Sequence, residues 1–251
     1  MSRKTTYFAQ KKDVLLPWDE LPEFMKTSEV RPYWEILWRH RTQLRIKRVF
    51  DVMMSVVLII LLFIPMIVIS VMIKFDSKGP VIYRQTRVTQ YGRKFKINKF
   101  RTMYDSALAV DENGVQVGAS VTVANDSRVT KVGRILRKYR MDEFPQLFNV
   151  LSGDMSFVGT RPEVPEYVEQ YKEEWNATLL LPPGITSECS IKFKDEDQML
   201  TGIADIDKAY MEIVLPMKMK INLKSLRRYS IVDDMFTMFH TIATVVLGDF
   251  K

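Results

Sequence analysis

The sequence predicts an α+β protein that is mostly helical and that carries a membrane segment. Three observations predict this class. Residues 52–73 form a run of 22 residues without a charge. Apolar residues recur at helical spacing in later segments, at 129–141, 142–151, 164–175, 206–226 and 232–246. Short strand patterns at 80–83 and 94–97 flank a turn at Tyr91 and Gly92, and they supply the β part.

Composition excludes several classes of protein. The chain has 251 residues, of which 47% are apolar and 27% are charged, so we expect a folded protein with a substantial core. A single cysteine, Cys189, and two histidines exclude an intramolecular disulfide and a Cys/His zinc cluster, and they favour a reducing compartment. The net charge of +7 favours an anionic partner, whether phosphate, nucleic acid or acidic lipid.

We divide the chain into three parts. Residues 1–45 are an N-terminal extension of unknown role, with three prolines and three tryptophans. We expect no signal peptide, because the first long apolar run begins near residue 49. Residues 46–75 are the membrane segment. Residues 76–251 are a globular domain that ends in amphipathic helices.

The apolar run has the length of a membrane helix. As a straight helix its 22 residues would reach about 33 Å, against about 30 Å for the hydrocarbon core of a bilayer. Pro65 lies past its middle, and both of its flanks are basic, as expected if the helix turns back and keeps both ends on one side. Proline also occurs in helices that cross, so spanning and re-entrant forms both remain open. The flanking cations are Arg45, Lys47, Arg48, Lys74 and Lys78.

Positive charge is concentrated in three acid-free clusters, at 84–101, 128–140 and 217–228. Any one of them is explained equally well as a solvated face. Three of them behind a membrane segment fit docking onto anionic membrane lipid, or a site that handles phosphate. Nucleic acid is not expected as a partner, because the clusters contain few aromatic residues on which bases could stack.

The second cluster leads into two adjacent acids, Asp142 and Glu143. The simpler interpretation is an N-cap at Asp142 with surface acids at the start of the helix predicted at 142–151. The alternative is a carboxylate nucleophile or metal ligand that faces a phosphate held by Arg137 and its neighbours. Because two acids alone would repel a phosphate, this alternative requires a cation such as Mg²⁺.

A series of motifs runs in order from residue 47 to residue 186. They are Lys47-Arg48 with Asp51, then 79–85 (GPVIYRQ), Arg87, 99–103 (KFRTM), 133–138 (GRILRK), 142–147 (DEFPQL), 153–159 (GDMSFVG), 161–163 (RPE) and 183–186 (PGIT). Through these motifs the sequence resembles the monotopic phosphoglycosyl transferases, the bacterial sugar transferases of glycan assembly. The resemblance covers about residues 46–245.

The resemblance implies a reaction. Members of this family transfer a phosphosugar from a UDP-sugar to undecaprenyl phosphate and release UMP, which is the membrane-committed first step of polysaccharide or glycoprotein assembly. By position, Asp142 is the nucleophile that forms a covalent phosphosugar intermediate, and Glu143 completes the catalytic dyad. Mg²⁺ is the expected metal, with Asp142 as a ligand.

The resemblance also implies binding residues. Lys99 and Arg101 are expected to shape the phosphate site, and Arg137 to lie near the polyprenyl phosphate. Arg161 and Pro162 match a motif linked to the nucleotide, and Gln146 is expected to bind substrate.

The implied fold is a monotopic one. A re-entrant helix hairpin, broken at Pro65, and interfacial helices are expected to hold the catalytic domain on the cytoplasmic face of the bacterial inner membrane. The oligomeric state stays open, with a homodimer as one option.

Three departures from the family pattern limit the resemblance. Ile64 precedes Pro65 where the family has serine, Thr160 replaces the first proline of Pro-Arg-Pro, and Ser187 follows the PGIT motif where glycine is usual. The sugar and the pathway therefore stay open. Two other classes also remain, a non-catalytic membrane adaptor that binds anionic lipids and a glycosyltransferase that releases UDP.

Overall fold

A computed structural model describes residues 14–104, 128–193 and 206–247 of the chain. The sequence also predicts a helix at 104–109 and an exposed loop or hairpin at 111–125, and both lie outside the described residues except for Tyr104. The structural statements below concern the described ranges.

Helices account for most of the described residues, as predicted. They are α1 (Arg31–Arg39), α2 (Arg41–Asp76), α3 (Lys131–Lys138), α4 (Gln146–Ser152), α5 (Pro165–Val168), α6 (Glu188–Lys192), α7 (Ile206–Ala209), α8 (Leu215–Arg227) and α9 (Ile231–Leu247). A π-helical turn at Tyr210–Val214 joins α7 to α8. The helix predicted at 164–175 is confirmed only near its start, where α5 forms. Its second half is wrong, since a separate 3-10 helix begins at Glu173, runs to Leu180 and buries Trp175, Ala177 and Leu180.

Four strands form two small sheets. Strands β1 (Ile82–Val88) and β2 (Lys94–Phe100) form an antiparallel hairpin, whose turn has Tyr91 at φ 61° and Gly92 at φ 74°. The predicted turn is therefore confirmed, and both strands run further than predicted. Strands β3 (Ser156–Val158) and β4 (Gly184–Thr186) pair in parallel. Glycine is needed at 184, because a Cβ there would lie 2.1 Å from the Gly159 nitrogen.

The described part of the N-terminal extension packs into the main hydrophobic core. Leu15, Met25 and Leu37 are at most 2% exposed and share one cluster with Leu180 and Leu215 from the globular domain. The Gln90 side-chain amide joins the two parts further, since it donates to the carbonyls of Val14 and Leu180. Residues 14–40 therefore stabilise the C-terminal half of the fold.

Helix α2 packs along the globular domain on both sides of Pro65. Before the proline, Phe50 and Met54 lie against a cluster that contains Val150. After it, Met66 and Ile73 are buried against a cluster built around β2 and α3. The helix includes Pro65 without interruption, so a break at Pro65 is not observed and the turning back of α2 stays a prediction.

The opposite face of α2 is apolar and exposed. Among the described residues α2 is the one helix that is long and apolar enough to cross a membrane, and only 17% of its most apolar window is buried. The exposed side chains recur at helical spacing over 46–75: Ile46, Val49, Met53, Val56, Val57, Ile60, Leu61, Phe63, Ile64, Ile67, Val68, Val71, Met72 and Phe75. Water is a poor solvent for such a face, so α2 indicates association with a membrane.

Candidate active site

A tight turn between α3 and α4 places the two acids inside the protein. Two residues after α3 ends, Arg140 adopts the left-handed conformation, at φ 53°, and a 3-10 turn follows at Met141–Glu143. Met141 and Phe144 pack against the cluster that contains Met66 and Ile73 of α2. The two acids between them therefore face inward, and both acids are 8% exposed. The prediction of an N-cap with surface acids is wrong, because Asp142 caps no helix and both carboxylates are buried.

Glu143 is held by two cations. Lys99 Nζ lies 3.2 Å from Glu143 Oε1, and Arg161 Nη1 lies 3.4 Å from the same oxygen. Burial alone would raise the pKa of Glu143, but Lys99, Arg161 and Arg140 outweigh it and lower this pKa to about 2. Glu143 is therefore ionised at neutral pH.

Asp142 has the opposite environment. Burial raises its pKa, Lys99 and Arg137 oppose that rise, and the neighbouring Glu143 adds to it. Its Oδ1 atom is buried without a hydrogen-bond partner among the described residues. An unpartnered carboxylate oxygen in a buried site is costly unless a ligand uses it, so this atom is the candidate for nucleophile or metal contact.

Two further predicted residues lie at the same turn. The Arg137 side chain donates from Nε to Thr102 Oγ1 at 2.8 Å, and its charge acts on Asp142. Gln146, one helical turn after Asp142, is 2% exposed, and its Nε2 has no hydrogen-bond partner among the described residues. A buried amide donor thus lies at the start of α4, four residues after the buried carboxylate.

The predicted nucleotide motif, Arg161-Pro162, is fixed through a hydrogen bond to its backbone. The Pro162 carbonyl accepts a hydrogen bond from Arg87 Nη1 at 3.2 Å. The Arg161 side chain, 36% exposed, reaches from this loop to Glu143. The structure therefore brings Lys99, Asp142, Glu143 and Arg161 together, as the sequence predicts.

Arg101 is not part of this group. It is 4% exposed, and its guanidinium donates to the carbonyls of Ser77 (2.7 Å) and Lys78 at the C-terminal end of α2. The open carbonyls at the end of α2 engage both terminal nitrogens of Arg101, while its Nε is buried without a hydrogen-bond partner among the described residues, so a role for Arg101 at the phosphate site stays a prediction. Arg101 instead fixes the membrane helix to the domain.

Sequence reasoning missed a buried polar cluster behind Arg161. Glu163 Oε1 accepts hydrogen bonds from Tyr210 and from Lys218, at 2.7 and 3.4 Å. Lys218 belongs to the basic cluster at 217–228, which the sequence places on a lipid or phosphate surface, yet it is 4% exposed. The signal was the apolar period of α8, in which Lys218 stands at a core position beside Leu215 and Met219.

A separate cavity of about 270 Å³ lies between the start of α2, β3 and the start of α9. Asp51 and Tyr229 line it, and none of the predicted site residues does. The group of charges around Asp142 is therefore not part of that cavity.

The described side chains around Asp142 provide too few metal ligands by themselves, so oxygens of a substrate would have to complete the coordination of a metal ion there. No three His, Cys, Asp or Glu side chains within 14–104, 128–193 and 206–247 lie close enough together to hold one. Mg²⁺ is commonly held by one or two carboxylates together with substrate phosphates and waters. The free Asp142 oxygen fits that mode, whereas Glu143 Oε1 is already engaged by Lys99 and Arg161.

Comparison with known proteins identifies the family. A family model described as bacterial sugar transferase matches residues 42–248, which is most of the chain. The chain belongs to the bacterial sugar transferase family. The match starts one residue after α2 begins, so residues 14–40, which pack into the core, lie outside the matched range.

Several relatives of this sugar transferase are named as undecaprenyl-phosphate enzymes. The UDP-N-acetylgalactosamine-undecaprenyl-phosphate N-acetylgalactosaminephosphotransferase of Aeromonas hydrophila is 35% identical over 81% of this chain and 44% of its own length. The UDP-glucose:undecaprenyl-phosphate glucose-1-phosphate transferase of Escherichia coli is 39% identical over 58% of this chain and 31% of its own length. Exopolysaccharide production protein ExoY of Rhizobium meliloti is 33% identical over 80% of this chain and 86% of its own length. The chain thus spans less than half of the first two relatives and most of the third.

Proposed function

We propose that this chain transfers a phosphosugar from a UDP-sugar to undecaprenyl phosphate and releases UMP. The observation that carries the proposal is the buried, unpartnered oxygen of Asp142 beside cations, in a chain whose relatives are named for this transfer. Adjacent carboxylates in opposite environments are typical of active sites, where each takes a different role.

In the first half of the reaction, Asp142 Oδ1 attacks the sugar-side phosphorus of the UDP-sugar. A bond forms between the carboxylate oxygen and phosphorus, and the bond from phosphorus to the bridging oxygen breaks. UMP leaves with the electron pair on that oxygen. Arg161 and Lys99 stabilise the charge that develops on the phosphoryl oxygens, and the Gln146 amide donates to one of them.

In the second half, a phosphate oxygen of undecaprenyl phosphate attacks the same phosphorus. The aspartyl–phosphorus bond breaks, the Asp142 carboxylate is restored, and the phosphosugar leaves on the lipid. Arg137, which lies on α3 beside α2, orients the acceptor phosphate. The same carboxylate serves both substrates in turn, so a single buried oxygen is sufficient.

The Asp142 carboxylate would hold Mg²⁺ together with the bound donor substrate. When bound, it would neutralise negative charge on the donor so that two acids can face a phosphate. Glu143 keeps Lys99 and Arg161 in place beside that position.

The arrangement of α2 supports a monotopic protein on the cytoplasmic face of the inner membrane. The globular domain packs on α2 both before and after Pro65. If α2 crossed the bilayer, the polar backbone of that domain would enter hydrocarbon, where unsatisfied groups are costly. A helix that turns back lets the domain sit at the headgroup level, where the phosphate of the lipid acceptor also lies.

The test is to identify the nucleotide product. Purified full-length protein with Mg²⁺ and undecaprenyl phosphate is incubated with a panel of UDP-sugars, in parallel with Asp142→Asn. We expect UMP from one or a few donors, at least ~1,000-fold less in the variant, because an amide is not a comparable nucleophile. A phosphosugar trapped on the protein without acceptor would report the intermediate.

Other products would contradict the proposal in separate ways. Release of UDP would mean transfer of the sugar alone. No nucleotide product from any donor, with binding to anionic vesicles intact, would favour a lipid-binding adaptor. UMP release that survives Asp142→Asn would place the nucleophile elsewhere.

A further inference from the structure

A buried ion pair lies directly behind the loop that carries Arg161. Glu163, Tyr210 and Lys218 are 6, 2 and 4% exposed. Lys218 Nζ donates to the Tyr210 hydroxyl at 2.7 Å, and Tyr210 donates to Glu163 Oε1 at 2.7 Å. Lys218 Nζ also lies 3.4 Å from Glu163 Oε1. We call these three residues the Glu163 cluster.

The local sequence builds this cluster through a change of helix type. Pro216 lies in the first turn of α8 and has no amide hydrogen, so it cannot continue the hydrogen bonding of the preceding turn. The preceding residues Tyr210–Val214 form a π-helical turn, a form that is often found at functional sites. Tyr210 thereby faces Glu163 and stacks on Tyr167, with ring centroids 5.0 Å apart.

The loop from Gly159 to Glu163 is tied to the fold on both sides of Arg161. Before Arg161, the Gly159 amide donates to the Thr186 carbonyl, and the Thr160 carbonyl accepts from Gly184. After it, the Glu163 carbonyl accepts from Val88 at 3.0 Å. The backbone is therefore fixed, and the Glu163 side chain adds the connection to α8.

Charge gives the cluster a second effect. The Glu163 carboxylate acts on both Arg87 and Arg161, two guanidinium groups that repel each other. Glu143 binds Arg161 from the active-site side, and Glu163 compensates the positive charge from behind. Arg161 thus contacts one buried carboxylate, Glu143, and is acted on at longer range by a second, Glu163.

We propose that Glu163, Tyr210 and Lys218 are positioning residues that hold Arg161 for the nucleotide half of the reaction. The inference rests on the proposed function, and it adds residues of α8 and the preceding π-helical turn to the machinery. Replacing a buried ion pair by apolar residues is often neutral or stabilising, so stability alone does not account for this cluster. A fixed orientation of Arg161 accounts for it.

The experiment compares Lys218→Met, Glu163→Gln and the double variant Glu163→Gln/Lys218→Met in the full-length protein. The double variant removes both charges of the Glu163–Lys218 pair and leaves Arg87 its hydrogen bonds to Gln85 and to the Pro162 carbonyl, so it is expected to fold even if the single variants do not. The matched control is Glu23→Gln/Lys26→Met, which removes an exposed ion pair with the same two substitutions. The readouts are KM for the UDP-sugar, kcat, the Kd of UMP by calorimetry and the melting temperature.

We expect the double variant to raise KM for the UDP-sugar and the Kd of UMP about tenfold or more, with a melting temperature near that of the wild type. The control should change neither constant. A KM and a Kd within twofold of the wild type in a folded double variant would overturn the inference.

A double-mutant cycle with Arg161→Met separates positioning from a general structural role. If the cluster acts through Arg161, adding Glu163→Gln/Lys218→Met to Arg161→Met costs little further activity. Additive losses would mean that the cluster acts on something else. If the wild-type protein neither releases nor binds UMP, the proposed function fails and takes this inference with it, whereas an active wild type with unaffected variants overturns the inference alone.

Discussion

Lys99 Nζ lies 3.2 Å from Glu143 Oε1, and this contact separates the roles of two adjacent acids. Glu143 is paired with Lys99 and Arg161, and its pKa is about 2. Asp142 shares the field of Lys99 but keeps one buried oxygen without a partner among the described residues. One carboxylate holds the cations in place, and the other is available for chemistry.

Lys99→Met is expected to reduce both stability and activity. The variant leaves Glu143 buried with Arg161 alone, and we expect a loss of about 3 kcal/mol, at the lower end of the values for breaking a buried ion pair. It also removes the cation that most opposes the raised pKa of Asp142, so we expect this pKa to rise further and the pH profile of UMP release to shift to higher pH. Urea unfolding and the pH dependence of UMP release measure the two effects.

Lys96→Met is the control for stability, since Lys96 is an exposed residue on the same strand. We expect its unfolding free energy to change by less than about 1 kcal/mol. If Lys99→Met changed the unfolding free energy as little as Lys96→Met, the ion pair with Glu143 would not contribute to stability.

Glu143 makes the stability of the protein depend on pH in the acid range. Its pKa falls from 4.5 to about 2 on folding, so the unfolded state takes up a proton first as the pH is lowered. The stabilisation is complete above the unfolded pKa and is lost as the pH falls from about 4.5 towards 2. Glu143→Gln lacks this pH-dependent stabilisation, because the amide does not ionise.

The measurement is the melting temperature of wild type and Glu143→Gln at several pH values. We expect the variant to be clearly less stable at pH 7 and the difference to shrink towards pH 3. A difference that stays constant between pH 7 and pH 3 would contradict the depressed pKa.

Arg101→Leu is expected to act on the fold and not on substrate binding. The substitution deprives the carbonyls of Ser77 and Lys78 of their donor, and we expect a loss of about 2–4 kcal/mol because charged hydrogen bonds at a buried site are removed. The KM of the remaining folded enzyme should stay close to that of the wild type.

Arg93→Met is the matched control, because Arg93 forms a half-exposed ion pair with Asp154. Exposed pairs contribute about 0–1 kcal/mol, so its melting temperature should change little. A selective rise of KM in Arg101→Leu, without loss of stability, would mean that Arg101 binds the substrate phosphate.

Local patterns predicted the parts of this molecule that depend on neighbours in sequence. The apolar run became α2, the turn at Tyr91 and Gly92 joined the hairpin, and the periods at 206–226 and 232–246 became helices. The acid pair was found as well, since the motif is contiguous. Its burial was not found, because burial depends on Met141 and Phe144 packing against the distant α2.

Burial was not predicted for residues whose partners are distant in sequence. Arg101 and Lys218 look like members of basic surfaces, yet each is buried by a partner that no local pattern specifies. For Arg101 the partners are carbonyls at the end of α2, and for Lys218 the partner is Glu163, 55 residues away. The charge pattern along the sequence cannot distinguish a cation in water from a buried cation whose hydrogen-bond acceptor is distant in sequence.

The topology of α2 can be tested with single cysteines. Cys189 is the only cysteine, so Cys189→Ser gives a background without a thiol, and the serine hydroxyl can keep the hydrogen bond that Cys189 Sγ donates to the Lys218 carbonyl. Ser28→Cys and Lys78→Cys then place one exposed thiol before α2 and one after it. Inverted and right-side-out vesicles are treated with a membrane-impermeant maleimide, and labelling in detergent gives the total.

We expect both cysteines to be labelled in inverted vesicles and neither in right-side-out vesicles. Labelling of both from one side is expected because the domain contacts α2 before Pro65, through Phe50 and Met54, and after it, through Met66 and Ile73. That this side is the cytoplasmic one follows from the proposed function. One body cannot lie in water while it packs along a helix that crosses the hydrocarbon core. Labelling of the two cysteines from opposite sides would mean that α2 spans the bilayer, and the packing on both sides of Pro65 would then have to rearrange in the membrane.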